Sequence, residues 1–516
     1  MKKTLIGFLV LTFAVTAQIS AAAQQIPFLS DLLSRYAEFN RLYTQKRRAG
    51  ANVSEIEPLR KRGEEAFKRG DIPAILEAIG EAQTLLAGRK WDERQKFIAS
   101  LTLEVDRLVI EPNQVLQVSL TRMFPAGIDK AFTSAPTVTF AIVSGEAAAG
   151  PGDARSAKPL PEPLVIAQRL RIAETSSNAT RRLLLPDGAY DVVALIETAG
   201  QKIAEIKRPV YAISDFSDTV AQMAKTVAGI KGSTDAQTKA VASLVATPEF
   251  QLQRLAQLNK TRGEVDLNPN REIDRIEAEL SALTMGKNPL AAERGEIERA
   301  YQAPDGKLVP YRVYVPKSYD GASSKPLVVM LHGALGDERY YFSGLFDPEI
   351  IKGEADRRGY ILAAVNGRGR FGNYTGASQQ DVFDVTDAVI REYRIDPSRI
   401  LLTGHSMGGF GTWLVASSKP ELFAAFAAVS GGPPAQGDAL TALLEKLKAV
   451  PAMIVHGARD GIVPVQLSRN IAAAAGKAGL KVTYLEVPDG DHLSVVASTF
   501  PAILDFFEKN AKPDVK

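Results

Sequence analysis

Ser406 stands in Gly404-His405-Ser406-Met407-Gly408, a stretch that fits G-x-S-x-G. A serine hydroxyl is a weak nucleophile. To attack an acyl carbonyl it needs a base, a group that orients the base, and donors for the developing oxyanion. "RILLTG" (399–404) reads as a buried strand and "MGGFGTWLVASS" (407–418) as a helix, which puts Ser406 at the tight turn between them. The flanking glycines suit a close approach of strand and helix. The helix N-terminus favours developing negative charge. The plain alternative is a structural serine in a glycine-rich turn.

The chain holds four histidines: His332, His405, His456 and His492. His405 adjoins the serine, and neighbours in such a turn point apart. His492 follows the strand "KVTYLEV" (481–487) in the loop "PDGDHLS" and is the expected base. "PAMIVHGARDGIVPV" (451–465) gives a strand, a turn and then Asp460, at the sheet edge where Ser406 is expected. Asp460 is the expected orienting acid. Asp489 and Asp491, close to His492 in sequence, are rivals that read as solvated loop acids. His456 is a weaker alternative base, better placed to brace the turn.

One oxyanion donor is the backbone N–H of Met407, the residue after the serine. The other is expected in the loop after the strand of "PLVVMLHGALGD" (326–337), from Ala334, with Leu335 next. Tyr340, Tyr341, Phe371 and Trp413 are candidate cleft residues, with plain packing as the alternative. "GRGRFG" (367–372) follows a strand and spells G-x-G-x-x-G. A dinucleotide site needs the last glycine to open a helix, and here "NYTGAS" intervenes. A structural turn at the rim is the better reading, with Arg368 or Arg370 able to meet an acidic substrate group. "DGDH" gives thin support for a metal.

The segments "YRVYVPKSYD…PLVVMLHG", "DVFDVTDAVIREYRIDPSRILLTGHSMGGFGTW" and "HGARDGIVPV" resemble secreted α/β-hydrolases of the polyhydroxybutyrate-depolymerase and feruloyl-esterase type. They are also similar to the catalytic domain of prolyl-oligopeptidase-type peptidases. The resemblance covers residues 296–516 and implies a Ser406, Asp460, His492 triad, in the chain order expected of that fold.

The remaining elements must position these residues. From 296 onward strands and helices alternate, so the expected fold class is α/β, a doubly wound, mostly parallel sheet. Ahead of it, 24–100 reads as a helical bundle, with Gly70 closing one helix, Asp71 capping the next and Pro73 in its first turn. Residues 101–214 alternate as strands do and suggest a small Ig-like β-sandwich, with turns at Asp187-Gly188 and Ala199-Gly200 and an exposed loop over 145–163. Residues 215–295 return to helical patterning, as a linker or layer.

At 516 residues, 45% hydrophobic and 23% charged, the chain has material for more than one core. A net charge of +3 and no basic run interleaved with aromatics argue against a nucleic-acid partner. With no cysteine, disulfides, thiol nucleophiles and thiolate metal sites are excluded. Neither a cofactor nor a metal is expected. Lys2 and Lys3 precede an apolar stretch and then "ISAAAQQ", the pattern of a signal peptide over 1–23, cleaved after Ala23 or else after Ala17. Secretion or periplasmic export is expected, with no stable membrane span after cleavage. Nothing in the pattern specifies an oligomeric state.

These readings lead to an exported serine carboxylester hydrolase that acts through an acyl-enzyme on small, bulky or polymeric esters. The runner-up is a prolyl-oligopeptidase-like serine peptidase. A third reading is a binding protein that uses the β-sandwich while its hydrolase domain is inert.

Overall fold

The computed structural model describes residues 28–145, 160–173, 175–261 and 267–511. The signal segment read in 1–23 lies outside the described residues, as does most of the loop read over 145–163. The chain forms two compact units, Phe28–Ala291 and a second from Ala292 onward.

The first unit opens on helices Leu29–Arg48, Glu57–Lys68, Ile72–Leu86 and Glu93–Ser100. Gly70 takes a positive φ of 68° after the second helix. The Asp71 carboxylate accepts from the Ala74 N–H at 3.1 Å and caps the third. Strands β1 (Leu101–Val105), β3 (Val115–Arg122) and β6 (Ser176–Arg182) form one sheet. β2 (Val109–Ile110), β8 (Gln201–Ala212), β7 (Gly188–Thr198), β4 (Thr137–Ser144) and β5 (Leu164–Arg171) form another. The inward residues of both sheets, such as Leu103, Val118, Phe140 and Val192, share one core, as in a sandwich. Ala199 and Gly200 both have positive φ, 48° and 78°, which suits the two-residue turn joining β7 to β8.

The sequence separates the helical bundle, the strands and the helices after 215. In the structure these segments are one unit, because their cores interlock. Met123 and Phe124 lie in the core of the first helices. Leu108, Val109 and Tyr211 lie in the core built by helices Phe216–Lys231, Ala246–Leu255 and Pro269–Thr284.

The second unit is built on an eight-stranded sheet of order β16-β15-β14-β13-β11-β12-β10-β9. The strands are β9 (Gly295–Gln302), β10 (Leu308–Val315), β11 (Lys325–Leu331), β12 (Ile361–Val365), β13 (Ile395–His405), β14 (Ala425–Val429), β15 (Ala452–Gly457) and β16 (Val482–Val487). β10 runs antiparallel to both β9 and β12; the neighbours from β12 to β16 are parallel. β11, β12, β14 and β15 are apolar along almost their whole length and buried, as strands covered on both faces must be, and β13 is buried from Ile400 to its end. β11 pairs with β12 on one side and β13 on the other. The strand order reverses there, and in open α/β sheets that opens a crevice at the carboxyl ends of the strands.

Candidate active site

β13 ends at His405 and the helix Met407–Ser418 begins two residues on, leaving Ser406 alone in the turn. Its φ of 55° and ψ of −117° are a conformation that L-residues rarely adopt, and it turns the side chain out at the sheet edge. The Ser406 N–H donates to the Val429 carbonyl at 2.9 Å, and the Phe410 N–H donates to the Ser406 carbonyl at 3.0 Å. The glycines make the turn possible. A Cβ on Gly404 would lie 2.3 Å from the Gly408 oxygen, and one on Gly408 would lie 2.0 Å from the Leu331 oxygen. The start of the helix therefore presses on both β13 and the end of β11.

The loop after β16 brings His492 over this turn. Its Nε2 lies 2.9 Å from Ser406 Oγ, and its Nδ1 lies 2.8 Å from Asp460 Oδ2. A carboxylate can only accept, so the proton sits on Nδ1 and the Nε2 lone pair faces the serine hydroxyl. Asp460 follows β15 and its side chain is fully buried. Its Oδ1 accepts from the N–H groups of Ile462 at 2.9 Å and Val463 at 2.8 Å. Burial pushes this carboxyl up. The electrostatic attraction of His492 and hydrogen bonds from His456, His492 and the Val463 N–H outweigh burial and hold it well below the usual carboxylate range.

The structure thus brings Ser406, His492 and Asp460 together and separates their rivals. Asp489 pairs with Arg459 at 2.6 Å on the surface. Asp491 accepts from the N–H groups of Leu493 and Ser494, at the start of the last helix. His456 is buried behind the acid, its Nε2 3.1 Å from Asp460 Oδ2 and 2.9 Å from the Val463 carbonyl. Two acceptors at one nitrogen put the proton there, and Nδ1 then accepts from Ser468 Oγ at 2.7 Å. This His-x-x-x-Asp bracing is visible in the sequence as a spacing, but the spacing alone does not say that the ring meets the acid.

On the anion side, Met407 opens its helix, where an N–H has no carbonyl within the helix to meet. Leu331 of β11 pairs with Gly404 of β13, so the loop that follows β11 reaches the same rim. Within that loop the Leu335 N–H donates to the Arg370 carbonyl at 3.0 Å and is committed, which leaves Ala334 as the donor to consider. Arg370 Nη1 returns a bond to the Leu335 carbonyl at 2.6 Å. The two loops are fastened to each other at this residue.

Several sequence candidates are not cleft residues. Trp413 is wholly buried against Phe426, with ring centroids 4.9 Å apart, because the helix face it occupies packs on the sheet. Tyr340 is buried, and its hydroxyl donates to His405 Nδ1 at 2.8 Å. Tyr341 is buried too and donates to the Leu331 carbonyl at 2.8 Å. Phe371 stays a candidate, half-buried in the loop after β12. Neither arginine of "GRGRFG" is free for an acidic substrate. Arg368 pairs with Asp381 and Asp305 at 2.6 Å each. Burial pushes the Asp337 carboxyl up, but Arg339 and Arg370 outweigh it and hold it down to about 2, so Arg370 already serves an acid. After Gly372 the chain turns, and a helix begins only at Ala377, unlike a dinucleotide site. Among the described residues no group of three or more His, Asp or Glu side chains is placed to hold a metal ion.

Residues 355–433 match the model of the prolyl oligopeptidase family. The chain is 30% identical over 171 residues to the bifunctional acetylxylan esterase/xylanase XynS20E of Neocallimastix patriciarum, covering 32% of this chain and 23% of that one. It is 32% identical over 139 residues to feruloyl esterase B of Talaromyces funiculosus, covering 25% and 37%. It is 24% identical over 234 residues to the uncharacterized peptidase YuxL of Bacillus subtilis (strain 168), covering 38% and 35%. The chain thus spans well under half the length of these relatives. By its strand order and by these likenesses, the C-terminal unit has the α/β-hydrolase fold shared by serine esterases and prolyl-oligopeptidase-type peptidases.

Proposed function

We propose that the chain is a serine carboxylester hydrolase. Ser406 Oγ attacks the ester carbonyl as His492 Nε2 takes its proton. Asp460 holds the resulting imidazolium, and the N–H groups of Met407 and Ala334 stabilise the tetrahedral oxyanion. His492 then protonates the leaving alcohol, and water, activated by the same imidazole, releases the acid. The observation that carries this reading is the continuous contact from Asp460 Oδ2 through His492 to Ser406 Oγ, at 2.8 and 2.9 Å.

Esters are favoured over peptides on two grounds. Two of the relatives are, by name, esterases of acetylxylan and feruloyl groups. The described residues ahead of the hydrolase unit form helices and a sandwich rather than repeated four-stranded blades. The stretch from Ser430 to Pro451 carries one helix, Gly437–Lys446, and no large inserted lid, which suits bulky or polymeric esters. The peptidase reading keeps the same residues and is supported by the match over 355–433.

Turnover of p-nitrophenyl acetate and butyrate beside peptidyl-nitroanilides separates the two. Ester turnover well above peptide turnover is expected, and the reverse would transfer the assignment to a peptidase. A fluorophosphonate that fails to label Ser406 would favour the inert, sandwich-based binding protein. Export, read from residues 1–23, is part of the proposal; N-terminal sequencing of the exported protein should begin at Gln24 or Gln18 and not at Met1. Among the described residues no helix is long and apolar enough to cross a membrane.

A further inference from the structure

The ring of His405 is buried directly beneath the site, yet the reaction just described does not use it. Burying an imidazole whose nitrogens lack partners is costly, so a histidine here needs a reason. Both nitrogens are bonded. Nε2 lies 2.6 Å from the backbone carbonyl of His492, and Nδ1 lies 2.8 Å from the hydroxyl of Tyr340. A carbonyl only accepts, so Nε2 carries the proton. Burial first, then the neighbouring His492, pushes the ring's pKa well below its ordinary value and keeps it neutral. Nδ1 therefore has a lone pair, which takes the tyrosine O–H. The chain of bonds has one polarity: Tyr340 O–H to His405, His405 N–H to the His492 carbonyl.

We infer that His405 and Tyr340 are positioning residues that set the place of the proposed base relative to the nucleophile and the oxyanion loop. This rests on the hydrolase reading. The bond from His405 grips the main chain of His492 rather than its ring, so it fixes where the imidazole is hung. The two rings also pack, with centroids 4.7 Å apart at 52°, which limits the tilt of the base. His405 immediately precedes Ser406, so the distance from nucleophile to base is spanned by one rigid side chain. Tyr340 adds the third loop. A Cβ on Gly333 would lie 2.6 Å from the Tyr340 oxygen and 3.2 Å from His405 Nδ1, so the chain leading to Ala334 closes directly over this bond. The Tyr341 hydroxyl at the Leu331 carbonyl holds the start of the same loop.

The test uses the full chain, with p-nitrophenyl butyrate as substrate and variants H405L, H405Q and Y340F. A misplacement of about 1 Å can cost about 100-fold, so H405L should lose about 100-fold in kcat with KM within about threefold of wild type. Gln can donate to the His492 carbonyl and accept from Tyr340, so H405Q should recover most of that loss, to within about tenfold of wild type. Y340F removes one end of the chain and should lie between H405L and wild type. The second readout is the downfield proton resonance of His492 Nδ1–H bound to Asp460, which should vanish or broaden in H405L and persist in H405Q. H405L with wild-type kcat and an unchanged resonance would overturn the inference, as would an H405Q as impaired as H405L. Should H405L fail to fold, the same comparison between Y340F and wild type decides, and an unaltered Y340F overturns it. Failure of the hydrolase reading looks different: wild type is inert toward esters and peptides and Ser406 takes no fluorophosphonate, while the resonance still reports on His405.

Discussion

Asp460 shows how finely the site depends on single atoms. Its Oδ1 accepts two backbone N–H groups and its Oδ2 faces two imidazole nitrogens. Asp460→Asn places an NH2 where an acceptor is required, so His492 turns to the wrong tautomer. We expect kcat for p-nitrophenyl butyrate to fall about 10⁴-fold with the fold retained, as judged by circular dichroism. A loss of less than about tenfold would place the orienting acid elsewhere. The buried histidines make a second prediction. Burial lowers the pKa of both His405 and His332. Below about pH 6.5 the unfolded chain binds protons that the folded chain does not, so their contribution is present above that pH and is lost as pH falls. Each histidine should remove about 1.4 kcal/mol of stability per pH unit below about 6.5, until its folded form protonates. Urea unfolding from about pH 6.5 to about 5, followed by Trp413 fluorescence in a Trp91→Phe background, should show this slope, and H405Q should make it shallower. A slope that H405Q leaves unchanged would refute it.

At the scale of elements, the helix Met407–Ser418 does two jobs. Its first turn shapes the turn that holds Ser406, and its Trp413 face packs on the sheet beside Phe426. Trp413→Ala should destabilise the unit by about 3–5 kcal/mol, read as a shift of the urea midpoint, and leave KM nearly unchanged. A rise in KM without loss of stability would return Trp413 to the cleft. Gly408→Ala should abolish activity, because the added carbon meets the backbone of β11, which has no rotamer to escape into. The sequence shows Ser406, His492 and Asp460 clearly, since each follows a strand that periodicity reveals and the carboxyl ends of parallel strands share an edge. It does not show what Tyr340 or Trp413 does. An aromatic residue near a motif reads the same whether it faces a cleft or a core, and only the packed helix and loop decide. The link of His405 to His492 is equally hidden, because it runs to a main-chain carbonyl, which no residue type encodes.

For the molecule as a whole, the alternation of strands and helices from 296 onward makes the α/β unit legible, down to its mostly parallel sheet. The front of the chain is less so. Its helical and strand periods are visible, but Met123, Phe124 and Leu108 read as ordinary strand or loop residues and only in three dimensions join the helical cores. The second unit has its own sheet and its own core, including Val328, Met330, Phe500 and Phe507. Residues 292–516 expressed alone should therefore fold and hydrolyse p-nitrophenyl butyrate within about tenfold of the full chain. An insoluble or inactive fragment would mean that the front unit is needed for the fold or for the site. The most direct test of the account is hydrolysis of p-nitrophenyl butyrate by wild type beside Ser406→Ala. Removing a serine nucleophile can cost about 10⁶-fold in kcat, and a loss of at least about 10³-fold with an unchanged circular dichroism spectrum is predicted here. A folded Ser406→Ala variant that keeps more than about a tenth of wild-type kcat would contradict it.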